Sequence, residues 1–106
     1  MNEVKEEIQK WIDSLQKEKL EIESTIKQAD NSLEVAQFKL RIANDALKNL
    51  SERERGIFYK SIIKPLEENY NEVSLDYEET KEKNRTELTN INILINKAEE
   101  AFDELD

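Results

Sequence analysis

The sequence predicts an all-α fold, an antiparallel two-helix hairpin of coiled-coil type that completes a helical bundle with a partner chain. Three observations carry that expectation. Apolar residues recur at alternating spacings of three and four along most of the chain, no stretch alternates apolar and polar residues for long, and the only Gly and Pro, Gly56 and Pro65, stand near the middle of the 106 residues. The one β-prone run, Ile57-Phe58-Tyr59-Lys60-Ser61-Ile62-Ile63, has no second run to pair with. A single domain over 1–106 follows, with helix 1 at about 3–50, a turn at about 51–57, and helix 2 at about 58–105, kinked or starting near Pro65.

Helix 1 is read from two series of residues seven apart. One is Lys5, Ile12, Lys19, Ile26, Leu33, Leu40 and Leu47; the other is Ile8, Leu15, Ile22, Ala29, Ala36, Ala43 and Leu50. Only the two lysines break an apolar seam sustained over seven heptads, the pattern of a left-handed coiled coil. At the turn, Ser51 with Glu54 three residues on reads as a capping box, and Arg53 or Arg55 can close the first helix before Gly56. Pro65 cannot donate to a helix ladder, so a first turn after Ser61 as cap, or a kink, is expected there.

Helix 2 repeats the pattern with Tyr59, Leu66, Val73, Thr80, Glu87, Leu94, Ala101 and with Ile63, Tyr70, Tyr77, Asn84, Ile91, Ala98, Leu105. Folding the chain at residue 53 pairs positions whose numbers add to 106. Small residues then meet large ones: Ala29, Ala36 and Ala43 face Tyr77, Tyr70 and Ile63. Lys19 meets Glu87, and Asn84 lies opposite Ile22. Such polar seam residues contribute little net stability but fix register, because the wrong pairing strands a buried charge. A shift by one heptad sets Lys19 against Leu94 and Glu87 against Ile26, so the first register is preferred.

Outside the seam, Leu88, Ile95 and Phe102 recur every seven residues and are expected to be an exposed flank on helix 2. Val35, Phe38 and Ile42 form a second patch on helix 1, and Trp11 borders the seam near the open end. Strips of this kind mark interfaces, closing either a homodimer or a complex with helices of another protein, with Trp11 and Phe102 as aromatic anchors.

Composition narrows the function further. With 25 acidic and 16 basic residues the formal charge is −9, the wrong sign for neutralising phosphates, so no nucleic-acid partner is expected. His and Cys are absent, which removes the usual general base, the thiolate nucleophile and zinc ligands with nitrogen or sulfur donors. No catalysis, metal or cofactor is expected. No apolar run approaches a membrane span, and Met-Asn-Glu-Val-Lys-Glu-Glu lacks the order of a signal peptide, so a cytoplasmic location is expected.

The last five residues, Phe102-Asp103-Glu104-Leu105-Asp106, have the Phe-x-x-x-Asp form of an export signal. Together with the length, the helical arms, the central Gly and the acidic balance, they resemble the small ESX-type proteins of type VII secretion. Within that group the likeness is closest to the α-helical proteins that accompany LXG toxins. The Trp-x-Gly turn of the wider family has no counterpart, since Trp11 is followed by Ile12-Asp13, which suits a divergent partner protein better than a typical secreted hairpin. The resemblance implies a non-catalytic targeting factor or chaperone. It would bind the N-terminal helical region of a toxin, beside a second small helical protein, and bring it to the membrane secretion machinery, with export of the chain itself an open alternative. Phe102 and Asp106 would be the residues read there. The competing reading is a structural homo-oligomeric coiled-coil scaffold or a prefoldin-like holdase.

The preferred register sets an expected cross-link: Ala36→Cys should oxidise to a disulfide with Tyr70→Cys and not with Tyr77→Cys. The reverse result, read by non-reducing electrophoresis and peptide mass, would shift the pairing by one heptad.

Overall fold

The computed structural model describes residues 2–105 and is helical almost throughout. Helix α1 runs Asn2–Leu47, residues 48–51 form the turn, α2 runs Glu52–Phe58, a π turn spans Tyr59–Ile63, and α3 continues over Lys64–Glu104. These elements make a helical hairpin, with no strand among the described residues.

The buried stripe of α1 follows the sequence residue by residue. From residue 3 to 50, every side chain that is buried or half-buried belongs to the two series starting at Lys5 and Ile8, and every member of those series is withdrawn from full exposure. An uninterrupted heptad gives the helix one face to bury and leaves the rest to water.

The turn is shorter than the sequence suggests and lies earlier. Its first half is two tight backbone bonds, Asn49 N–H to Ala46 O at 3.1 Å and Leu50 N–H to Leu47 O at 3.2 Å. Ser51 is the N-cap of α2, in extended conformation with φ −68° and ψ 160°, and its Oγ accepts from the Glu54 N–H at 3.4 Å. Arg55 then reaches back over the turn, its Nε donating to Leu50 O at 2.9 Å and a terminal nitrogen to Lys48 O at 3.4 Å. A guanidinium thus satisfies carbonyls just beyond the end of α1, where the helix dipole favours positive charge. With Ser51 and Arg55 supplying the caps, Gly56 is not needed as a turn residue. It lies inside α2 with a negative φ.

Pro65 neither starts a capped helix nor follows Ser61 as cap. It is the second residue of α3, and the backbone stays helical through it, with Phe58 and Lys64 both right-handed at the borders of the π turn. The Ser61 hydroxyl instead donates to Ile57 O at 2.8 Å. Proline lacks the N–H for Ser61 O and crowds that carbonyl. The wider π turn, in which the Lys64 N–H reaches Tyr59 O, makes room immediately upstream. Ile63 closes it from inside, at 1% exposure the most deeply buried large side chain described.

The chain divides into two compact units, one from Met1–Lys27 with Lys81–Asp106 and the other Gln28–Thr80. In the second, Ala36, Ala43 and Ile63 are buried, with Ala29, Leu33, Leu40, Leu66, Tyr70, Val73 and Tyr77 half-buried around them. In the first, Leu15, Ile91 and Ile95 form a buried cluster with Ile22 packed on it, and Ile12 and Ala98 are also buried. Lys5 Nζ lies 4.9 Å from the centre of the Phe102 ring, so the two helical segments of this unit run antiparallel.

Along α3 the buried stripe differs from the predicted one. Up to Thr80 the half-buried residues of α3 are the predicted Leu66, Tyr70, Val73, Tyr77 and Thr80 together with Glu67 and Ser74; beyond it they are Lys81, Leu88, Asn92 and Phe102, with Ile95 buried, while Glu87, Leu94, Ala101 and Leu105 are exposed. Glu67, Ser74, Lys81, Leu88, Ile95 and Phe102, every seventh residue, are all withdrawn from full exposure beside Ile63, Tyr70, Tyr77, Asn84, Ile91 and Ala98, so this heptad runs unbroken while the Leu66, Val73, Thr80 series leaves the stripe beyond Thr80.

Because nothing lies within 4 Å of a Cβ placed on Gly56, Gly56→Ala should stabilise the protein by about 0.5–1 kcal/mol. Thermal unfolding followed by circular dichroism should show a midpoint several degrees higher; a lower midpoint would mean the position needs glycine.

Candidate interaction surfaces

The functional candidates divide according to where the buried stripes leave them. Ile95, expected on an open flank, is 7% exposed and sits in the cluster with Leu15 and Ile91. Leu88 and Phe102 are half-buried in the same stripe. This face is therefore part of the hairpin's own core in the first unit and not a free docking strip. The physical reason is charge: the expected series would have drawn the Glu87 carboxylate into the seam, whereas the adjacent series supplies Leu88 instead. Lys19 is half-buried, Glu87 is exposed and no ion pair joins them, so the expected seam pair is not formed. Asn84 is buried as expected. No buried side-chain nitrogen or oxygen among the described residues lacks a hydrogen-bond partner, so this polar layer is a satisfied one.

Two groups remain in solvent. On the outer face of α1, in the second unit, Val35, Phe38 and Ile42 are 51%, 51% and 65% exposed. Their spacings of three and four put them on one face, away from the buried stripe. Val35 also lines a shallow groove of about 320 Å³ with Asn31, Ser32, Ala36, Lys39 and Asn69. In the first unit Trp11 is 45% exposed, a large aromatic surface left to water beside a seam that has no room for it. Leu94, counted among the seam residues by periodicity, belongs with the exposed apolar residues of this unit.

The proposed export motif is only partly within view. Phe102 lies in a shallow groove with Lys5, Glu6 and Gln9, its ring under the Lys5 ammonium, while Asp106 lies outside the described residues. Among those residues, no group of three or more acidic side chains is placed to hold a metal ion, and no helix is long and apolar enough to cross a membrane. Lys10 with Glu7, Lys48 with Asp45 and Lys97 with Glu100 pair as exposed neighbours on one helix face, and pairs of that kind add at most a few tenths of a kcal/mol each. Comparison with known protein families, with curated proteins and with solved structures finds no match to this chain.

The two series on α3 make opposite predictions for substitution. Ile95→Ala removes a buried side chain and should cost about 2–4 kcal/mol in urea unfolding. Glu87→Ala should change stability by less than about 0.5 kcal/mol, as an exposed substitution does. Equal costs at the two positions would return Glu87 to the seam.

Proposed function

We propose that the chain is a non-catalytic protein-binding factor that targets or chaperones an LXG-type toxin of type VII secretion, with a helical segment of that client lying on the outer face of α1. The observation that carries the reading is the exposure of Val35, Phe38 and Ile42 as one apolar strip on a chain otherwise rich in charge. A helix presenting anchors three and four residues apart is suited to helix-on-helix docking, and the groove beside Val35 offers a seat for one client side chain. Phe102 and Asp106 are the residues we assign to recognition by the secretion apparatus.

For Phe102 to serve as such a signal its ring must leave the groove beside Lys5. A cation–π contact at a partly exposed site holds it by about 0.5–1 kcal/mol, and its half-burial in the stripe holds it further, so a receptor pocket must bury the ring more fully than the hairpin does.

The test uses the purified chain with the N-terminal helical region of an LXG toxin from the same host. Replacing Val35, Phe38 and Ile42 by Asp should weaken binding at least tenfold in calorimetry while helicity is retained. Phe102→Ala and Asp106→Ala should block export and leave that binding intact. Undiminished affinity in the triple variant would overturn the docking face, and normal secretion of the two C-terminal variants would overturn the signal.

A further inference from the structure

Positive charge is concentrated in one part of the chain. Residues 39–64, the turn with the helix ends on either side of it, carry seven basic side chains and three acidic ones. That is a balance of +4 in a chain of net −9, so the other 80 residues hold −13. All seven basic side chains are exposed. Immediately beyond them the character reverses: residues 28–38 and 65–80 of the same unit contain eight acidic residues and no Lys or Arg. The second unit is therefore positive at its turn and strongly negative away from it.

The positive end is also apolar. Ile57 is 69% exposed, the most exposed of the large apolar side chains described, and Tyr59 and Ile62 are 43% and 42% exposed. Arg53, Ile57 and Lys60 follow one another at spacings of four and three, which places the isoleucine between two cations on one helix face, and Lys64 continues the row. On the other side of the turn α1 adds Arg41 and Lys48. Neither the buried stripe nor the strip at Val35, Phe38 and Ile42 uses any of these side chains.

We infer that the turn end of the second unit docks on an anionic phospholipid surface. Its cations surround the turn on both helices instead of lining one of them, an arrangement that a plane of headgroups neutralises at once and a single partner helix does not. Lys and Arg heads meet the headgroup phosphates while Ile57 and Ile62 enter the acyl boundary, and the amphipathic Tyr59 ring suits the layer between. The acidic flank sets the pose. At 1.5 Å per residue, Glu34 and Glu67 lie roughly 20 Å along their helices from Lys48 and Glu52. That is more than two Debye lengths, each about 8 Å at physiological salt. End-on contact brings the cations to the surface and holds the acidic residues beyond its field, whereas contact along the side would press them against like charge. The inference does not rest on toxin binding.

The experiment uses the purified full chain with vesicles of phosphatidylglycerol and phosphatidylcholine in equal parts, and pure phosphatidylcholine vesicles beside them. The chain should sediment with the anionic vesicles and not with the neutral ones, and raising the salt from about 50 mM to about 500 mM should release it. Each basic side chain near such a surface contributes roughly fivefold in affinity, so Arg53→Gln with Lys60→Gln and Lys64→Gln should weaken association about a hundredfold. Ile57→Asp should weaken it about tenfold or more. Both variants alter exposed side chains and should keep the helicity of the parent. Trp11 is the only tryptophan, so Trp11→Phe with Ile57→Trp puts a single fluorophore at the turn. Its emission should move to shorter wavelength with anionic vesicles, while that of Trp11 in the parent stays in place. No association with anionic vesicles would overturn the inference, as would full association of the triple Gln variant or a shift at Trp11 with none at position 57. Binding to soluble polyglutamate but not to vesicles would assign this end to an acidic protein and overturn it equally.

Discussion

Each helix of this hairpin has a single stripe to bury, and what that stripe admits decides the rest of the structure. A charged carboxylate drawn into a seam between two helices loses several kcal/mol of hydration unless it is fully paired, while a leucine in the same place gains about 1.5–3 kcal/mol. Along α3 these alternatives are adjacent, at Glu87 and Leu88. The helix buries toward Leu88 and keeps that phase through Ile95 and Phe102. Upstream, Leu66 with Glu67, Val73 with Ser74 and Thr80 with Lys81 are half-buried as adjacent pairs, so the stripe is broad there and narrows beyond Lys81.

The same economy shapes the turn. A hairpin between two long helices must satisfy carbonyls at the end of one and N–H groups at the start of the next. Ser51 and Arg55 do both within five residues, one hydroxyl receiving the Glu54 N–H and one guanidinium donating to Leu50 and Lys48 carbonyls. No residue with positive φ is required among the described residues. Downstream, the irregularity that Pro65 imposes is taken up as a π turn instead of a break, so the chain from Glu52 to Glu104 remains helical.

How much of this was legible depended on whether one signal stood alone. In α1 the heptad is uninterrupted, and the sequence identified every residue of the buried stripe, Lys5 and Lys19 included. In α3 two apolar series run side by side, and counting apolar residues favoured the one containing Leu94 and Ala101. Weighing the charge at Glu87 against the apolar Leu88 would have reversed the choice; Glu67, Ser74 and Lys81, polar yet half-buried, concealed the series that Leu88 continues. Gly56 and Pro65 were taken as punctuation because those residues usually are, although Ser51 and Arg55 held the caps. The π turn has no sequence signature beyond the proline that follows it. Of the candidate surfaces, Val35, Phe38, Ile42 and Trp11 were placed correctly as exposed because each lies off an unambiguous stripe, whereas Leu88, Ile95 and Phe102 depended on the phase.

Which series α3 buries also decides which edge of the first unit is apolar. Had α3 buried the predicted series beyond Thr80, Leu88, Ile95 and Phe102 would have bordered the seam beside Gln9, Gln16 and Glu23. Trp11 and Val4 would then have stood next to Lys83, Asn90 and Lys97 on the other side. Each edge would have been half apolar and half polar, a poor surface for any helix. With the Lys81, Leu88, Ile95 and Phe102 series in the stripe, α3 turns Leu94 and Ala101 onto the edge that already holds Val4 and Trp11, and the polar residues of both helices fall together on the opposite one. The choice of series that spares Glu87 from desolvation therefore also brings Val4, Trp11, Leu94 and Ala101 to one edge of the two segments. A local electrostatic constraint inside the hairpin thereby sorts apolar from polar side chains on its outside.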